Sequence, residues 1–153
     1  MEETNENREI AVSENQDMQS KSITSLVKSL IKFQSEVKDI SKDKVNPFFN
    51  SKYADINNII QSIRKTLTSN DLAISQGNRY CIDSNGFYII TTLYHSSGEW
   101  LRSELRMPIG GKKDAQAVGA SVTYGRRYGL LSILGISVDG DDDDGNLSTN
   151  KQQ

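Results

Sequence analysis

"FYIITTLYHSSGEWLRSELRM", residues 87–107, decides the fold. Residues 87–94 form a run of aromatic and β-branched side chains, the composition a pleated surface favours. "HSSG", 95–98, follows with the small and polar residues of a hairpin turn. Beyond it Leu101, Leu105 and Met107 alternate with Trp100, Arg102, Glu104 and Arg106. Successive strand residues point to opposite faces, so this strand has one apolar face and one that is aromatic and charged.

Upstream, "LAISQ" (72–76) and "RYCI" (79–82) are short β-prone runs, separated from the hairpin by a second turn-like stretch, "DSNG" (83–86). The sheet is therefore expected to be an antiparallel meander of three or four strands. Downstream, "PIGGKKD" (108–114) reads as a loop, and the periodicity after it predicts a helix over about 114–134. Two more helices are expected before the strands. Ile23, Leu26, Val27, Leu30, Ile31, Val37 and Ile40 recur at helical spacing over about 20–41. Ile56, Ile59, Ile60, Ile63 and Leu67 do so over about 54–69. Between them, "KVNPFFNSKYAD" (44–55) is an extended or turning segment broken by Pro47. Helices, then a meander, then a helix give an α+β domain, with the meander packed on the C-terminal helix.

The ends of the chain differ from its middle. Residues 1–18 hold six acidic residues and one basic one, residues 139–153 five Asp and one Lys, and residues 19–138 sixteen basic and nine acidic residues. An acidic, disordered segment (1–18), a basic folded domain (19–138) and an acidic flexible tail (139–153) are the expected divisions. A basic body is the electrostatic footprint of a polyanion partner, set against ordinary surface lysine. The single cysteine, Cys81, cannot form an intramolecular disulfide and fits a reducing cytoplasm. No apolar run nears the roughly 18 residues that span a bilayer, and the first residues lack a signal peptide's basic and apolar regions.

The final helix carries the sharpest site. Phased at about 100° per residue, Gly125 and Gly129 share a face with Val118, Val122 and Ile133. Each glycine costs helix stability of about 1 kcal/mol relative to alanine, so close approach of another element is expected there. Gln116, Thr123, Arg126 and Arg127 occupy a narrow polar arc on a helix that otherwise looks buried, and Tyr124 and Tyr128 lie on another arc, as packing residues. Planar guanidinium donors suit phosphate oxygens, with an internal carboxylate pair as the alternative. Lys112 and Lys113 just before the helix extend the strip. In the 44–55 segment, Phe49 and Tyr53 interleave with Lys44 and Lys52, the mixture that stacks bases and holds a single strand's backbone. Anchoring in the core is the competing fate of Phe48 and Phe49.

Enzyme chemistry has little footing. "GGKKD" lacks the upstream glycine and the Ser/Thr of a Walker A loop, so no ATP site is expected. His95 sits in a turn with no ligand-spaced partners. "DGDDDDGN" (139–146) fails as an EF-hand, with Asp144 at the glycine position and Asn150 at the bidentate position. It is a solvated acidic run, able to hold Mg²⁺ loosely or to compete with a polyanion for the basic surface. No catalytic residue, cofactor or resident metal is expected. A metal-dependent nuclease built on this run is the weakest alternative, because clustered flexible carboxylates lack the rigid placement two-metal chemistry requires.

Taken together, "NPFFNSKYADINNII" (46–60), "TTLYHSSGEWL" (91–101), "QAVGASVTYGRRYGLLSILGI" (116–136) and "DDDDGN" (141–146) resemble the ERF family of phage single-strand annealing proteins, collinearly over about 20–146. The N-P-x-F-x-S-K-Y-A-D motif falls on Asn46, Pro47, Phe49, Ser51, Lys52, Tyr53, Ala54 and Asp55. The Y-x-R-R-Y element falls on Tyr124, Arg126, Arg127 and Tyr128. The resemblance implies a β-β-β-α annealing core and a recombinase of the bacterial host cytoplasm. It implies pairing of complementary strands without ATP, in rings or helical filaments, from single-stranded DNA to an annealed duplex intermediate. A host or phage single-strand-binding protein or exonuclease is an implied partner. An oligomeric single-strand-binding or architectural protein without annealing activity is the main alternative.

Overall fold

The structure is a computed structural model and describes residues 17–46, 51–81, 86–108 and 114–138. The elements run α1 (Thr24–Glu36), β1 (Lys44–Asn46), β2 (Ser51–Tyr53), α2 (Ile56–Ser69), β3 (Leu72–Cys81), β4 (Gly86–His95), β5 (Trp100–Pro108) and α3 (Ala115–Leu134). β3, β4 and β5 form an antiparallel meander in that order, and β1 pairs with β2 as a separate two-stranded ribbon. This is the α+β architecture expected, with three strands in the meander.

β3 is one continuous ten-residue strand where the sequence reads as two runs. The polar Gly77–Asn78 step that divides them is paired throughout, with Gly77 opposite Ile90 and Asn78 opposite Ile89. The β4–β5 register places Leu93 opposite Leu101, Ile89 opposite Leu105 and Phe87 opposite Met107 on the inner face. Tyr94 opposite Trp100, Thr92 opposite Arg102 and Tyr88 opposite Arg106 share the outer face. The alternation read in the last strand therefore holds. On the outer face the Arg79 guanidinium lies over the Tyr88 ring and pairs with Glu104 at 3.1 Å, while Arg102 lies over Trp100.

α3 packs across the inner face. The Asp114 carboxylate caps it, accepting from the Ala117 amide at 2.7 Å, and Gly135 ends it in the left-handed region (φ 62°). Its glycines explain the close contact. A methyl group at Gly125 would lie 2.7 Å from Ile89 Cγ1, and one at Gly129 would lie 2.7 Å from Thr91 Oγ1. Thr91 is fully buried and its hydroxyl accepts from Gln76 Nε2 at 3.0 Å, so it has little freedom to yield.

The main core gathers Leu26 and Phe33 of α1, Ile59, Ile63 and Leu67 of α2, Leu72 and Leu93 of the sheet, and Leu130, Leu131 and Leu134 of α3. A smaller cluster of Phe87, Ile89 and Met107 lies under the first half of α3. α1 is shorter than its periodicity suggests. It spans 13 residues, with Val37 already extended (ψ 133°) and Ile40 bridging Val138. Val27 and Ile31, read as part of its apolar stripe, are exposed, and Phe33 is the side chain buried instead.

α1 has no N-cap side chain of its own. Glu99, in the β4–β5 turn, supplies one. Its carboxylate accepts from the Leu26 amide at 2.7 Å and from the Ser22 hydroxyl at 2.8 Å. Next to it, Ser20 and Met18 hydrogen-bond the edge of β5 at Trp100 and Arg102. Among the described residues, no helix is long and apolar enough to cross a membrane.

Two expectations follow. Gly125→Ala and Gly129→Ala should each lower the melting temperature, because overpacking costs about 1–3 kcal/mol against a propensity gain of about 1 kcal/mol. Gly119→Ala on the same helix meets nothing within 4 Å and should raise it, by the propensity term alone. Thermal unfolding of the three variants checks the sign at each position.

The second concerns pH. The Leu26 amide, helped less strongly by the Ser22 hydroxyl, holds the Glu99 carboxyl below its ordinary range. A depressed folded pKa stabilises above the unfolded pKa, and this is lost as pH falls through the folded value. Glu99→Gln should therefore lower stability at neutral pH and match the parent protein at a pH below the carboxylate range, measured by denaturant unfolding at both.

Candidate nucleic-acid interface

The two adjacent arginines of α3 lie about 100° apart on the helix, and the structure sends them to different flanks. Arg126 faces β3. Its Nε donates to Gln76 Oε1 at 3.4 Å, while Gln76 Nε2 donates back to the Arg126 carbonyl at 2.9 Å. There it borders an open cleft of about 360 Å³ between α2, β3 and α3, with Arg64, Thr68 and Gln76 as its other polar residues and Ile63, Leu67 and Leu130 among its apolar ones.

Arg127 faces the β1–β2 ribbon. Its guanidinium stands 5.3 Å from the Tyr53 ring, 5.5 Å from Tyr124 and 5.1 Å from Tyr128, and it reaches the Ala54 carbonyl at 3.5 Å. A cation over a ring face is held by the ring's quadrupole. Arg127 thereby ties the ribbon to α3. The cleft on this side measures about 610 Å³ and is bounded by Tyr53, Asp55 and Ile56 opposite Gln116, Thr123 and Tyr124. Among the described residues the side-chain ion pairs are Lys32–Glu36 and Arg79–Glu104, and neither takes in Arg126 or Arg127.

The exposure of Tyr124 departs from the sequence reading. Tyr124 is 51% exposed and Tyr128 is partly buried. Their rings pack against each other, centroids 4.4 Å apart and tilted by 46°. The cause is that only the second half of α3 is enclosed by α1 and α2. Gln116, Gly119, Ala120, Thr123 and Tyr124, in the first half, face outward.

Of the other sequence candidates, Lys44 pairs directly with Tyr53 across the ribbon, so the two share a face. Lys52 pairs with Val45 on the opposite face, and all three of Lys44, Val45 and Lys52 are exposed. Phe49, Lys112 and Lys113 lie outside the described residues, as do most of the two acidic ends, including the Asp run at 139–144. Sequence reasoning missed Gln76, which fixes the backbone at Arg126, and Arg64, which shares its cleft. Gln76 carried a signal in retrospect: it is a polar residue on the strand face that Ile74 turns to the core.

The model of the ERF superfamily matches residues 26–153. The chain belongs to that superfamily. At the level of the family this makes it a protein of single-strand annealing and recombination type. The Y-x-R-R-Y element of the family resemblance is the one that builds both flanks of α3, and Tyr53 and Ala54 of the other motif meet it at Arg127. No curated protein and no solved structure matches the chain.

The Gln76 bridge should be structural as well as positional. Gln76→Ala should destabilise the fold by about 1–3 kcal/mol, since the buried Thr91 hydroxyl and the Arg126 carbonyl would lose the same donor. Denaturant unfolding of the variant measures it.

Proposed function

We propose that this ERF-superfamily chain is an ATP-independent single-strand annealing protein of phage recombination. It binds single-stranded DNA along the α3 surface and pairs it with a complementary strand. The observation that carries the reading is the placement of Arg126 and Arg127 on the two flanks of a half-exposed helix, without a carboxylate partner among the described residues. Lys44 beside Tyr53 and Arg64 beside Arg126 add charge on either side.

In this reading the guanidinium groups hold phosphates, so the strand is gripped chiefly by its backbone and most base edges stay free to test a complement. Annealing involves no bond making in the protein, needs no nucleotide or metal cofactor, and draws its driving force from base pairing and stacking. One subunit offers a short site. Assembly of copies into a ring or filament multiplies it, because linked sites bind at high effective concentration.

Two measurements test this. Single-strand affinity should fall with salt, and Arg126→Ala/Arg127→Ala should weaken binding and flatten the slope by about 1.4 if each arginine releases a counterion, at roughly 0.7 per phosphate contact. A folded double variant with the parent slope removes the arginines from the interface. Complementary strands labelled with a fluorophore and a quencher should pair faster with the protein than without it, in buffer free of ATP. Tight binding with no acceleration would instead favour the architectural, non-annealing alternative.

A further inference from the structure

The Arg127-side cleft differs chemically from the Arg126 side, and the difference bears on what occupies it. Its walls are two tyrosine rings, Tyr53 and Tyr124. Tyr124 is 51% exposed, and its ring is in contact with Tyr128 and Arg127. A ring fixed in this way has already given up most of its rotamer freedom, so stacking a ligand on it costs little further ordering. Gly119 and Ala120 also line it, and a Cβ at Gly119 would meet nothing within 4 Å.

The polar groups at the rim are those that meet a base edge. Gln116 offers an amide donor and acceptor. Thr123 donates its hydroxyl proton to the Gly119 carbonyl at 3.1 Å, which leaves its oxygen as an acceptor. Asp55 spends one oxygen on the Asn58 amide as the cap of α2, and the other remains an acceptor. A carboxylate on the wall repels a phosphate and suits an N–H donor of a base, an exocyclic amine or the ring N3–H of thymine. Arg127 stands at the edge, with its charge wrapped by rings.

We propose that this cleft is a nucleobase pocket: one base of the bound strand leaves the stack and lies against the Tyr124 ring, while a neighbouring phosphate meets Arg127. The inference rests on the single-strand-binding reading above and deepens it. Each subunit then grips its tract at a base as well as along the backbone, and that base is withheld from pairing until it is released. The rim offers acceptors and one amide without a fixed pattern, so the pocket takes purines and pyrimidines alike.

The test separates base from backbone. The affinity of the full chain is measured for an oligothymidylate and for a strand of equal length and charge built from abasic sites. Base stacking on an aromatic is worth roughly 1–3 kcal/mol per base, so the parent protein should prefer the base-bearing strand by about 5- to 150-fold. Tyr124→Ala should remove most of that preference and leave the salt slope unchanged, whereas Tyr124→Phe should keep it. Equal affinity of the parent for both strands, or a preference that survives Tyr124→Ala, overturns the pocket while leaving backbone binding intact. Failure of the parent to bind either strand overturns both this inference and the reading beneath it.

Discussion

The contact on which the molecule turns is the seating of α3 directly on the sheet at Gly125 and Gly129. With no Cβ at these positions, the helix backbone comes down onto Ile89 and Thr91 of the central strand. That closeness lets a side chain of β3, Gln76, reach the helix backbone at Arg126. The side of α3 away from the sheet is then left to α1, α2 and the ribbon. α1 and α2 enclose the second half of the helix and leave the first half open. The Arg127 cleft borders the open first half, and the Arg126 cleft lies between α2, β3 and α3.

The two flanks differ in kind. On one, a guanidinium is steadied by an amide network that also satisfies a buried threonine. On the other, a guanidinium is steadied by three tyrosine rings and a backbone carbonyl. The first arrangement fixes a donor fork. The second shares the charge between a ring cluster and whatever meets its edge. A single helical element with consecutive arginines thus presents two chemically distinct surfaces, which a uniform basic strip would not.

How far the sequence reveals this depends on whether a residue's partner is local. The bounds of α3 are legible because Asp114 and Gly135 are the cap residues that helices select, and the glycine face is legible from spacing four apart. The β4–β5 register follows from period-two alternation. What is not legible has distant causes. α1 ends early because the chain turns to bring Ile40 beside Val138, almost a hundred positions on. Val27 and Ile31 match the apolar period of α1, yet both are exposed. Helical phasing separates Arg126 from Arg127 by an angle, but which element stands beside each is set by β3 and by the ribbon. The exposure of Tyr124 likewise depends on where the covering elements stop.

The cap that Glu99 places on α1 has a consequence for how the chain is made. α1 is 13 residues long and carries no capping side chain of its own, so it is marginal in isolation. Its missing acceptor lies 73 positions downstream, and the helix that seats the whole core comes later still. On the ribosome, the first helix emerges long before the turn that completes it. α1 therefore gains its cap only once residue 99 has been made and the β4–β5 turn can close on it.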